Sequence, residues 1–363
     1  MQSMKEGDVP RIGVLPSGPR DSICDVDGVT VGHCTLDHES VQTGVTVIRP
    51  HGGDPYRDKV PAGVTVLNGF GKSVGLMQVQ ELGVLETPIA LTGTFGVGAV
   101  FNAQVLQAIQ ANPGVGRELG TVNPLVFECN DGYLNDMQSL PVAEAHYLRA
   151  YDAAGSDFAQ GAVGAGRGMS SFGLKGGIGS ASRVAAIGGR PYQVGALVLS
   201  NFGKLSALTV AGRPFGRLLS ERLEQGVAGR RRIEDQVDKG SIILLIATDA
   251  PLDARQLRRL SLRAGVGLAR TGSNFGHGSG DIALAFSTAY TVPHLAERGM
   301  PAVPMLHETR LDPLFDAAAE AVEQSIVAAL WRAEMVLGRD NHVRLAVHEL
   351  IPEWRDWLAR TVL

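Results

Sequence analysis

Three cysteines in 363 residues are too few for a disulfide framework. Cys24, Cys34 and Cys129 are therefore expected as free, buried thiols. Aromatic residues make up only 6% of the chain, so bulky rings do not dominate its core. Neither sign of charge prevails. The 33 Lys and Arg against 37 Asp and Glu leave a net charge of −4, which gives no footprint for nucleic acid. No stretch of about 18 uninterrupted apolar residues is present, so no membrane partner is expected. The first 20 residues carry prolines, glycines and charges and lack the apolar segment of a secretory signal. A cytoplasmic location is the expectation. What is plentiful is glycine, 46 residues, which points to tight turns and close backbone approaches. Hydrophobic residues at 44% and charged residues at 19% fit a soluble globular chain with a substantial core.

Short β-branched runs alternate with glycine-rich turns in the first 200 residues. Residues 45–48, 64–67 and 195–199 read as strands, the last ending at Asn201. Residues 97–110 and 141–153 read as helices. A longer helix is expected late in the chain, with Asp312 as N-cap, Pro313 at the first helical position and Gly338 as the stop. Leu314, Ala318, Val322, Ile326 and Leu330 recur every four residues along it, which builds one apolar face. Residues 251–270 form another helix, containing Leu257, Leu260 and Leu262. The charged segment 221–239 reads as a solvated loop. Its Arg230, Arg231 and Arg232 are flanked too closely by acids to act as a basic patch.

Chemistry-bearing groups cluster at the ends of apolar runs. Gly240 and Ser241 open the run Ile242, Ile243, Leu244, Leu245, Ile246, Ala247, directly after the charged segment. A serine there suits an internal cut that would make it a new N-terminus. Downstream, Thr271–Gly–Ser–Asn–Phe–Gly–His–Gly–Ser–Gly–Asp281 precedes a strand-like run. Ser279 and Asp281, two apart, project to one face in extended geometry. Glu128–Cys–Asn–Asp–Gly–Tyr–Leu–Asn–Asp136 follows a strand-like run, as does Ser200–Asn–Phe–Gly203. Each also fits a turn chosen for its backbone geometry.

Several ordered segments together resemble the L-aminopeptidase/D-esterase and β-peptidyl aminopeptidase (DmpA-type) family. They are Gly240–Ser–Ile–Ile–Leu–Leu–Ile–Ala–Thr–Asp–Ala–Pro251 and Gly278–Ser–Gly–Asp–Ile–Ala–Leu–Ala–Phe–Ser–Thr288. Others are Asp25–Val–Asp–Gly–Val–Thr–Val–Gly–His33, Leu67–Asn–Gly–Phe–Gly71, Asn130–Asp–Gly–Tyr–Leu–Asn–Asp136 and Val163–Gly–Ala–Gly–Arg–Gly–Met169. The resemblance spans nearly all of residues 20–345. It implies an α+β fold, a four-layer α-β-β-α sandwich like that of N-terminal nucleophile hydrolases but with its own connectivity. It implies one domain over 1–363, cut by autoproteolysis into segments 1–240 and 241–363, with Ser241 the nucleophile. Ser279 and Asp281 would support it, Asn201 would help form the oxyanion hole, and Tyr133 would line the site. Glu128 would hold the substrate's free amine. The substrates implied are small peptides, amino-acid amides or esters. No cofactor or metal is required, and the cut chains would assemble as a homo-oligomer, a tetramer. Two positions depart from the family pattern. Asp281 stands where β-peptidyl members can carry Glu, and Gly93 stands in Leu91–Thr–Gly–Thr94 where Asn is expected.

Other readings compete. An ornithine-acetyltransferase-like self-processing acyltransferase would use threonine, which Ser241 disfavours. A glycine-rich ligand-binding protein built on Gly164–Ala–Gly–Arg–Gly168 lacks the full dinucleotide spacing and any phosphate-loop lysine–serine pair. A metal site from His33, Cys34, Asp37 and His38 lacks a zinc-like spacing.

Overall fold

The computed structural model describes residues 9–226 and 240–359. Nine longer strands carry the fold: β1 (Thr30–His38), β2 (Val41–Arg49), β3 (Asp58–Gly69), β4 (Ile89–Gly93), β5 (Leu125–Cys129), β6 (Gly177–Ile187), β7 (Arg190–Asn201), β8 (Ser241–Thr248) and β9 (Gly280–Ser287). Four helices cover them: α1 (Val97–Ala111), α2 (Glu144–Asp152), α3 (Ala254–Arg270) and α4 (Asp312–Trp331). The first sheet has the order β1-β2-β4-β5, and the second contains β3-β9-β8-β7-β6.

The side-chain alternation of β8 shows why two sheets stack. All eight of its residues are buried. Ile242, Leu244 and Ile246 face α3 and α4, packing with Leu257, Leu260 and Val322. Ile243, Leu245 and Ala247 face the first sheet, packing with Ile48, Leu91 and Phe127. A strand buried on both faces reads as an unbroken apolar run, which is what its sequence shows. The outer face of the first sheet buries Val45, Val47 and Val126 against Val100 and Ala103 of α1 and Tyr147 and Ala150 of α2. Each fully buried Leu or Ile contributes about 1.5–3 kcal/mol. The order of layers is thus helix, sheet, sheet, helix.

Most of the expected elements form, with corrected ends. α1 spans the expected residues and continues to Ala111. α2 starts at Glu144, later than expected. α3 begins after Asp253, whose carboxylate accepts from the Gln256 N–H while the Gln256 side chain returns to the Asp253 N–H. α4 ends at Trp331 rather than near Gly338. There the chain passes so close to Gly161 that a Cβ on that glycine would lie 2.2 Å from the Arg332 carbonyl oxygen. Val336–Leu337 then pairs with Val343–Arg344. Asp312 is the first helical residue and not the cap. Of the segment 221–239, residues 221–226 end the helix Phe215–Gly226, and 227–239 lie outside the described residues. The three cysteines are buried and free. Among the described residues no helix is long and apolar enough to cross a membrane.

Candidate active site

Ser241 sits at the start of the central strand β8, 4% exposed, with a neighbour on each side. On the antiparallel side it stands opposite Asn201, the last residue of β7. On the parallel side it stands opposite Gly280, the first residue of β9. Three strand ends therefore meet at one level. The Gly280 N–H donates to Ser241 Oγ at 3.1 Å. Gly240 has no space for a side chain, because a Cβ there would lie 2.0 Å from the Asn201 carbonyl oxygen.

Both amide atoms of Asn201 are held. Its Oδ1 accepts from the Ser170 N–H at 2.8 Å, and its Nδ2 donates to the Asn130 carbonyl at 2.9 Å. The Asn130 side chain closes its own turn by accepting from the Gly132 N–H at 2.9 Å. On the other flank, Ser279 Oγ donates to Asp281 Oδ1 at 2.5 Å, and both residues are buried. The two-residue spacing thus places the hydroxyl and the carboxylate together, as the extended geometry requires.

Glu128, next to last in β5, is 2% exposed. One carboxylate oxygen accepts from the Lys72 N–H at 2.7 Å, and the other from the Thr94 hydroxyl. Gly71 lies between this carboxylate and the start of β9. A Cβ on it would lie 3.4 Å from Glu128 Oε1 and 3.8 Å from Gly280 Cα. Thr94, not position 93, supplies the polar contact of this segment. A Cβ on Gly93 would lie 2.3 Å from Asp131 Oδ2.

Tyr133 is half-buried and set further out. Its ring stacks on His342 with centroids 4.5 Å apart, and the Arg344 guanidinium lies 3.5 Å from its centroid. Arg344 Nε donates to Ser170 Oγ at 3.1 Å, which links Tyr133 to the residue that orients Asn201.

Burial sets the local titration. It pushes the Asp131 carboxyl up to about 6 and the Cys129 thiol well above its ordinary range. The second of these keeps a cysteine beside the site protonated and inert.

The competing motifs have structural roles. The Gly164 and Ala165 N–H groups donate to the hydroxyls of Thr35 and Thr46, at 2.8 and 3.1 Å, so they are already occupied. His33 is held by Thr46 Oγ1 and the Ala159 carbonyl. Among the described residues no group of three or more His, Cys, Asp or Glu side chains is placed to hold a metal ion.

The sequence reading named Ser241, Asn201, Ser279, Asp281, Glu128 and Tyr133. The structure sets Ser241 opposite Asn201 on one side and Gly280 on the other, with Ser279 and Asp281 flanking Gly280 in the chain, and it places Gly71 between Glu128 and Gly280. The reading missed Ser170, Lys72 and Thr94, which act through a backbone N–H or a single hydroxyl and carry no spacing signal. Phe172 and Gly173 form a two-residue turn between the pairs Ser170–Ser171 and Leu174–Lys175.

Known proteins resemble this chain. The model of Peptidase family S58 matches residues 21–344. A β-peptidyl aminopeptidase, BapA, of Sphingosinicella xenopeptidilytica is 36% identical over 340 residues, covering 89% of this chain and 84% of its own. A crystal structure of a Pyrococcus horikoshii protein superposes with a TM-score of 0.88 at 48% identity, covering 96% and 97% of the two chains. The L-aminopeptidase D-Ala-esterase/amidase of Ochrobactrum anthropi superposes with a TM-score of 0.86 at 35% identity, covering 98% of each. That protein is described as a prototype for the serine aminopeptidases and a new variant among the Ntn hydrolase fold. With its four layers in place and the family match running across both sheets, this chain belongs to peptidase family S58 and is an aminopeptidase.

Proposed function

We propose that the chain cuts itself between Gly240 and Ser241 and then works as a serine aminopeptidase. It would release N-terminal amino acids from small peptides, amides or esters. The observation that carries this reading is the convergence of Asn201, Ser241 and Gly280 at one strand level, with the Ser279–Asp281 pair beside it.

In the precursor, Ser241 Oγ attacks the Gly240 carbonyl carbon. The C–N bond breaks as the C–O bond forms, giving an ester and the free α-amine of Ser241. Water then hydrolyses the ester, leaving a carboxylate on Gly240. Glycine before the serine leaves its carbonyl open to attack. The freed amine has an ordinary pKa of about 7.7–8.0, against roughly 10.4 for lysine, so a large share is neutral near pH 8. It takes the proton of its own hydroxyl, directly or with the Ser279–Asp281 pair as relay. The hydroxyl attacks the substrate carbonyl, the leaving amine or alcohol takes the proton, and water then frees the amino acid.

Asn201 uses one of its two amide hydrogens on Asn130 and offers the other to the developing oxyanion. Such a donor contributes roughly 2.7–4 kcal/mol to lowering the barrier. Glu128 pairs with the substrate ammonium, and Tyr133 lines the approach. The cut chains assemble as a homo-oligomer, a tetramer, in the cytoplasm. The exposed Leu262 and Val266, one turn apart on α3, support a contact surface.

The test compares an aminoacyl p-nitroanilide with its N-acetylated form. The wild type is expected to turn over only the first. Glu128→Gln should raise KM for the free amine about 10- to 100-fold, through loss of a charge-assisted contact. Equal turnover of both substrates would contradict the reading.

A further inference from the structure

Near the asparagine on the antiparallel flank lies a buried lysine that no step above uses. Ser170–Ser171 pairs with Leu174–Lys175, and Ser170 lies directly opposite Lys175. Phe172 and Gly173 turn the chain with φ of 54° and 72°, the left-handed pair that a two-residue hairpin requires. The hairpin is pinned to the end of β7. The Phe172 N–H donates to the Phe202 carbonyl at 2.7 Å, and the two rings meet edge-on with centroids 4.9 Å apart. The hydroxyls of Ser171 and Ser200 share a hydrogen bond of 2.7 Å.

Lys175 is fully buried. Its ammonium donates to the carbonyls of Gly166, Met169 and Gly176 at 2.9, 2.7 and 2.7 Å. Its backbone N–H donates to the Leu345 carbonyl at 2.8 Å. Burial, with Arg167 and Arg344 nearby, pushes its pKa well down. Three acceptors nevertheless need three N–H groups, which only the charged form supplies. A buried cation held by carbonyls is costly, and an apolar side chain would fill the space without that cost. Its three acceptors lie within 166–176, the segment that presents the Ser170 N–H to Asn201.

We propose that Lys175 is a positioning residue for the oxyanion site, holding the 166–176 backbone so that the Ser170 N–H fixes the orientation of the Asn201 amide. The inference rests on Asn201 as oxyanion donor. A carboxamide is nearly symmetric in shape, and turning it over exchanges oxygen for nitrogen. With the Ser170 N–H on one side and the Asn130 carbonyl on the other, one orientation satisfies both. Without the first, only the Asn130 carbonyl opposes the reversed amide, which would point its oxygen at the substrate oxyanion and repel it.

The experiment is a double-mutant cycle of Lys175→Met and Asn201→Ala, with kcat and KM on an aminoacyl p-nitroanilide referred to processed chains. Asn201→Ala should lower kcat about 10²- to 10³-fold. Lys175→Met should lower kcat roughly 30-fold, with KM within about 3-fold. The double variant should be within about 3-fold of Asn201→Ala alone. Multiplying effects, an unchanged kcat for Lys175→Met, or a loss confined to KM would each overturn the role of Lys175. An Asn201→Ala enzyme with wild-type kcat would instead remove the oxyanion reading, and this inference with it. If both single variants stay uncut, their processing rates replace kcat in the same cycle. If Lys175→Met does not fold, Lys175→Gln, which keeps two N–H donors, takes its place with a drop of roughly 10-fold and the same criterion.

Discussion

Ser241 has two flanks of opposite chemistry at the same height in one sheet. The antiparallel flank, at the end of β7, presents the Asn201 amide, wired to Ser170 and Asn130. The parallel flank, at the start of β9, presents a carboxylate–hydroxyl pair, Asp281 with Ser279, and the Gly280 N–H. In the function proposed above, one side supplies donors to a carbonyl oxygen that becomes negative, and the other supplies groups that hold a proton. A nucleophile on the strand between them needs both. The adjacent strands deliver them through register alone, without a loop reaching across the site.

That division of labour is exposed by removing each part. Ser241→Ala deletes the group that both flanks serve. Activity should fall by roughly 10⁴-fold or more, measured as p-nitroaniline release. Next comes the antiparallel flank, where the drop set out above for Asn201→Ala should lie in kcat and not in KM. The parallel flank is removed by Asp281→Asn, which keeps the shape and deletes the charge. It should lower kcat about 10- to 100-fold and change the pH profile, because proton handling is what it supports. Equal turnover and an unchanged profile would take Asp281 out of the mechanism.

The smallest effect concerns stability. The Asp131 pKa is raised by burial to about 6, above its unfolded value. Its contribution is therefore complete below about pH 4 and is lost as pH rises through 6. Asp131→Asn should stabilise the protein at pH 8 by up to about 3 kcal/mol and leave it unchanged at pH 4. Thermal unfolding at the two pH values checks this. A variant no more stable at pH 8 would show that the carboxylate has stabilising partners there.

The β9 flank was legible because two side chains two residues apart in a strand must share a face. The four layers came from the family resemblance, and the unbroken apolar run 242–247 fits the strand buried on both faces that they require. The β7 flank was only half legible. Asn201 stood out at the end of a strand, but its orientation comes from the Ser170 N–H, 31 residues away, and backbone donors leave no trace in composition. Glu128 was named, while its holders Lys72 and Thr94 were not, for the same reason. α4 ends before Gly338, the residue that reads as its stop in the sequence. Close passage of the chain at Gly161 marks the turn earlier, and a long-range contact of that kind has no local signature.

The central claim is that Ser241 becomes an N-terminus. The intact masses of the purified wild-type protein and of Ser241→Ala test it most directly. The account predicts two wild-type fragments, the second beginning at Ser241, and a single uncut chain for the variant. An uncut, fully active wild-type chain, or a variant that is cut at the same bond, would contradict it.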